Sequence, residues 1–134
     1  MRFFFYGTLM DDEVRGAVLD ERSAAEPAVL AGWRRVRKPG TPYPIVVRAR
    51  GRRVAGVLVR GLDGRARARL IAFEDDGYAL ALLPVNAGGR RRMAWVFAAK
   101  PGSRLGRARR WNVAEWRKTG RGPLLARLGR GNRS

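Results

Sequence analysis

The chain contains neither cysteine nor histidine. Disulfide frameworks, thiolate nucleophiles and cysteine- or histidine-ligated metals are therefore excluded, and with them the commonest general base near neutral pH. Lysine is scarce as well: Lys38, Lys100 and Lys118 stand among 29 basic side chains, and the rest are arginine. Acid–base chemistry in such a chain falls to a carboxylate, a lysine or a tyrosine, and the scarcity of lysine puts a carboxylate first. No run approaches the roughly 20 apolar residues that cross a bilayer. The opening Met1-Arg2-Phe3-Phe4-Phe5-Tyr6 reaches Gly7 too soon for a signal peptide, so a cytoplasmic location is the expectation.

What is present supports a folded core. Hydrophobic residues make up 46% of the 134 positions, enough to bury one domain. The formal charge of +18 is uneven: residues 1–103 carry 19 basic and 10 acidic side chains, whereas residues 104–134 carry 10 basic ones against Glu115 alone. The tail reads as the polarised part, a basic helical extension of 104–134 packed on a domain of 1–103.

Along the chain, Phe3 to Tyr6 reads as a buried strand that ends in a turn at Gly7-Thr8. Asp11 and Asp12 are placed to open a helix over 11–20. Strands are expected at 28–37 and 43–48, divided by Lys38-Pro39-Gly40-Thr41-Pro42, and again at 52–60 inside the sheet. Leu62, Ala66, Leu70 and Phe73 share one helical face behind Asp63 as N-cap, with Gly77 as the stop. Strands 78–85 and 93–97 flank a hairpin at Asn86-Ala87-Gly88-Gly89, and Pro84 suits a sheet edge. In the tail, Asn112 and Glu115 form a capping-box pattern, and Trp111 and Trp116 occupy the staple positions. Pro123 to Leu128 adds a further turn of helix.

Two constellations carry chemistry. Tyr6-Gly7-Thr8-Leu9 is a strand running into a glycine turn and a helix start, a pattern that exposes backbone N–H groups to an anion. The same pattern also serves a purely structural bend. Glu74 stands at a helix C-terminus beside Asp75 and Asp76, where the dipole and like charges disfavour ionisation and make it a candidate general base. A solvated acidic loop has the same composition.

Taken together, Phe5-Tyr6-Gly7-Thr8-Leu9, Tyr43-Pro44, Val54 to Leu58, Leu70, Phe73-Glu74 and Tyr78 resemble the gamma-glutamylcyclotransferase-like superfamily over roughly residues 2–99. The likeness is greatest to its gamma-glutamylamine cyclotransferase branch and bacterial relatives. The resemblance implies an α+β fold, a small mixed β-barrel with short flanking helices. It implies a small-molecule gamma-glutamyl substrate held by Tyr6, Gly7, Thr8 and Leu9, with Glu74 as general acid/base and no metal or cofactor. Ile71, Asp75 and Leu80 stand where members commonly carry aspartate, glycine and arginine.

The alternative is a non-catalytic barrel whose basic tail binds nucleic acid or an acidic partner, with Trp111 and Trp116 stacking among Arg107, Arg109, Arg110 and Arg117. Staple geometry accounts for the same tryptophans as packing. Arg90-Arg91-Arg92 opens a strand, where solvated charges protect against edge pairing.

Overall fold

A computed structural model describes residues 1–74, 77–101 and 111–131. The strands are β1 (Phe3–Phe5), β2 (Ala25–Arg37), β3 (Pro44–Val59), β4 (Tyr78–Ala87) and β5 (Arg90–Ala99). They close into a barrel in the order β1-β3-β2-β4-β5. The barrel is mixed: β1 runs antiparallel to β3 and parallel to β5, and the remaining pairs are antiparallel. The helices are α1 (Asp12–Leu19), α2 (Gly64–Phe73), α3 (Val113–Thr119) and α4 (Arg121–Gly131), and a 3-10 turn at Thr8–Met10 precedes α1.

Alternation along the strands explains why β1 is aromatic throughout. Phe4 and Tyr6 point into the barrel with Leu30, Val46, Leu58 and Val96. Phe3 and Phe5 point outward, where α1, α2 and the C-terminal helices cover them through Val14, Leu70, Trp116 and Leu124. A three-residue strand is thus buried on both faces, which polar alternation would not permit.

Helix caps follow the sequence closely. Asp11 accepts from the N–H groups of Glu13 and Val14, Asp63 from Ala66, and Asn112 from Ala114 and Glu115. The hairpin between β4 and β5 turns on Gly88 and Gly89, both at positive φ (57° and 76°), as a tight two-residue turn matched to strand twist requires. Among the described residues, Pro84 lies where β4 pairs with β5 alone, since β2 meets β4 at Val29–Asn86.

Three expectations are corrected. The strands at 43–48 and 52–60 are one strand, β3: Gly51, at φ 78°, bends it without ending it, opposite the irregularity between Ala31 and Trp33 of β2. Gly77 does not stop α2, because the helix ends at Phe73 and Glu74 is its C-cap in extended backbone, donating its N–H to Leu70 O at 3.0 Å. The helical tail is also longer than one added turn, with α4 running from Arg121 to Gly131. Trp111 and Trp116 are buried with ring centroids 6.3 Å apart, so the pair is packing. Arg107, Arg109 and Arg110, and with them the stacking arrangement, lie outside the described residues, as do Asp75 and Asp76.

Among the described residues no helix is long and apolar enough to cross a membrane.

Candidate active site

The end of β1 delivers its turn to the mouth of the barrel. Gly7 sits at φ −131°, outside the left-handed region, and a Cβ added there would fall 2.4 Å from Pro44 Cγ. The glycine is required by the close approach of β3 and not by handedness. The following residues tighten into the 3-10 turn, with Met10 N–H donating to Gly7 O at 3.0 Å and Asp11 N–H to Thr8 O at 3.2 Å. The leading N–H groups of such a turn have no acceptor within it.

This turn and Glu74 line the same cavity of about 160 Å³. All four residues Tyr6, Gly7, Thr8 and Leu9 border it, and Tyr43, Pro44, Phe73, Tyr78 and Phe97 supply mainly aromatic walls. Among the described residues that line it, Glu74 and Arg127 are the charged ones. The cavity is thus a small cup with mainly aromatic walls, a carboxylate on one element and a guanidinium on another, the general form of a site for a small polar molecule.

Two tyrosines order its walls. Tyr6 is buried and its hydroxyl donates to the carbonyl oxygen of Phe97. Burial, then the Tyr78 hydroxyl and the negative charge of Glu74, holds the Tyr6 hydroxyl well above its ordinary pKa, against the opposing pull of Arg35. Tyr6 is therefore a neutral structural donor near pH 7. Tyr78 donates its hydroxyl to Pro44 O at 2.7 Å, and the Lys38 ammonium lies 4.6 Å from the centre of its ring.

Two arginines brace the turn from outside. Arg35 of β2 donates to Tyr6 O at 2.7 Å while its guanidinium lies 5.1 Å from the ring centre of Trp111. Arg15 of α1 is 2% exposed and donates to Leu9 O at 3.0 Å, Met10 O at 3.3 Å and Ser23 Oγ at 2.9 Å.

Sequence reasoning missed Arg15, Arg35 and Arg127. In a chain with 29 basic side chains no single arginine stands out. The one available signal was Arg15 at the centre of a helix between the apolar Val14 and Val18. The tail is also not the sole polarised region: residues 27–62, most of β2 and all of β3, carry nine basic side chains and no carboxylate.

A closed mixed barrel whose first-strand turn shares a cavity with a carboxylate following a helix defines the gamma-glutamylcyclotransferase-like class. Within it, the chain belongs to the family described as gamma-glutamyl cyclotransferase, AIG2-like, which matches residues 3–118. It is 26% identical over 118 residues to protein AIG2 C of Arabidopsis thaliana, covering 85% of this chain and 70% of that one. With AIG2-like protein A of the same plant it shares 28% over 121 residues, covering 86% and 71%. Among solved structures, a protein of Arabidopsis thaliana determined in solution superposes at a TM-score of 0.74 with 20% identity, covering 97% of this chain and 80% of that one. A gamma-glutamyl cyclotransferase superposes at 0.62 with 15% identity, covering 74% and 66%. These likenesses give a cyclotransferase-like fold.

Proposed function

We propose that the protein converts a gamma-glutamyl amine or amide to 5-oxoproline and the free amine, with Glu74 as general acid/base. The observation that carries this reading is the shared cavity of Glu74 and the Tyr6 to Leu9 turn. The α-ammonium of the substrate gives a proton to the Glu74 carboxylate, and the freed nitrogen attacks the γ-carbonyl carbon. The C–N bond of the five-membered lactam forms and the bond to the leaving amine breaks. Glu74 returns the first proton to that amine, takes the second proton that the attacking nitrogen sheds as it becomes the lactam N–H, and passes it to the departing amine, which leaves as the ammonium. Charge that develops on the carbonyl oxygen faces the backbone N–H groups of the turn, as electrostatic stabilisation requires. The chemistry needs no group that this composition lacks.

The test is to incubate the purified protein with gamma-glutamyl amines and gamma-glutamyl peptides and to follow 5-oxoproline. Release by the native chain and its loss in Glu74→Gln is the expected result. No release from any substrate, or equal release by the variant, removes the assignment.

A second reading, a surface that binds nucleic acid, is favoured by the arginines of β2 and β3. A cleft of about 440 Å³ there is lined by Arg34, Arg35, Arg52 and Arg53 beside Trp111. Binding of an oligonucleotide that weakens steeply with salt supports it, and salt-independent binding or none removes it.

A further inference from the structure

We propose that Arg127 is a carboxylate subsite, so that the cavity selects gamma-glutamyl compounds whose α-carboxylate is free. The inference rests on the cyclotransferase reading and names the substrate feature that the same site recognises.

Position and chemistry carry it. Leu124 is buried, and Leu125 and Leu128 pack against the same core, so α4 lies with its apolar face on the barrel. Arg127 follows Leu124 by three positions, at the flank of that face, and there it borders the cavity. The helix is further anchored at its start, where Arg121 pairs with Asp11 at 2.7 Å and with Glu13 at 2.6 Å. Among the described residues Arg127 makes no hydrogen bond and no ion pair, which leaves its five N–H donors for a ligand.

The two charges that the described residues bring to the cavity are opposite. A ligand with one ammonium and one carboxylate on the same carbon answers both, the ammonium at Glu74 and the carboxylate at Arg127. A gamma-glutamyl compound has this arrangement, and fixing its carboxylate also directs its α-nitrogen, the atom that must attack the γ-carbonyl. The family match ends at residue 118, whereas Arg127 lies beyond it.

The experiment compares binding of 5-oxoproline and of its carboxamide by calorimetry, using the full chain, Arg127→Ala and Arg127→Lys, with thermal melts to show that all three are folded. Loss of a bidentate charged contact is expected to weaken 5-oxoproline by roughly tenfold or more in Arg127→Ala and by less in Arg127→Lys. The carboxamide should bind the native chain weakly and be insensitive to either substitution. Equal affinity of native and Arg127→Ala protein for 5-oxoproline, an equal loss for the carboxamide, or no binding of 5-oxoproline by the native chain overturns the proposal. Turnover of gamma-glutamyl amines separates the two readings. Carboxylate-dependent binding without turnover leaves the subsite standing and removes the reaction, whereas turnover unchanged in Arg127→Ala does the reverse.

Discussion

Pro44 occupies the space that a side chain at Gly7 would need: a Cβ built on Gly7 meets Pro44 Cγ at 2.4 Å. The contact ties the candidate binding turn to the first residue of β3, whose own carbonyl accepts the Tyr78 hydroxyl. Gly7→Ala must push the turn or the proline ring aside, and overpacking of this kind costs about 1–3 kcal/mol. Urea unfolding should show that loss, and 5-oxoproline formation should fall with it. The double variant Gly7→Ala with Pro44→Ala restores the room, so it should be more stable than the sum of the single losses predicts. Strict additivity would show that the two residues do not press on each other.

Tyr6 gives a prediction about alkaline pH. Its hydroxyl is held protonated in the fold chiefly by burial, with Tyr78 and Glu74 adding to the effect. The folded-state pKa lies above that of the unfolded chain, so the stabilising contribution is complete below about pH 10 and is lost as pH rises through the folded value. The tyrosinate absorbance of Tyr6, read as the difference between native and Tyr6→Phe proteins, should appear above the ordinary tyrosine range near pH 10, together with unfolding. Tyr6→Phe removes that step and at neutral pH leaves the Phe97 carbonyl without its donor, a loss of about 1–3 kcal/mol. A normal titration of Tyr6 contradicts the assignment.

The barrel was legible because its strands obey simple rules. The aromatic β1, the apolar β3 near Val57 and Val59, the caps at Asp11, Asp63 and Asn112, and the Gly88-Gly89 hairpin each carry a local signal that tertiary structure does not override. Gly51 misled, because a glycine that bends a strand and one that ends it look alike until the partner strand is known. At the site, the turn and Glu74 were legible as a pair only through their family-like order, since nothing local places a carboxylate at residue 74 against a turn at residue 7. The contributions of Arg35 and Arg127 depend on which elements lie side by side, and arginine carries no periodic signal of its own.

Asp11 and Arg121 make the attachment of α4 sensitive to acid. Desolvation alone would raise the Asp11 carboxyl, but the Arg121 guanidinium and the N–H groups of Val14 and Glu13 outweigh it and hold the pKa below its ordinary value. A lowered folded-state pKa means that the contribution is present above the unfolded value, near 3.8, and is lost as pH falls through the folded one. Asp11→Asn keeps a side-chain cap and removes the charge, so its stability should depend less on pH in this acid range than that of the native chain. Asp11→Ala also removes the cap, at about 1 kcal/mol. Because the pair with Arg121 is partly exposed, added salt should narrow the difference between native and Asp11→Asn proteins. An unchanged acid profile in Asp11→Asn rules out this origin.

Arg15 links the stability of the fold to the shape of the site. Its buried guanidinium holds the carbonyl oxygens of Leu9, Met10 and Ser23, and it reaches the Asp12 carboxylate at 2.5 Å. Arg15→Met keeps the length and apolar stem of the side chain but leaves those carbonyls without donors, with an expected loss of roughly 1–3 kcal/mol in urea unfolding. Arg15→Lys retains the charge but offers a single ammonium in place of the planar fork, so it should recover only part of the loss. Leu9 and its neighbours line the cavity, so the affinity for 5-oxoproline should fall in both variants even where most of the protein is folded. Stability lost without any change in affinity would show that Arg15 holds α1 but does not hold the turn.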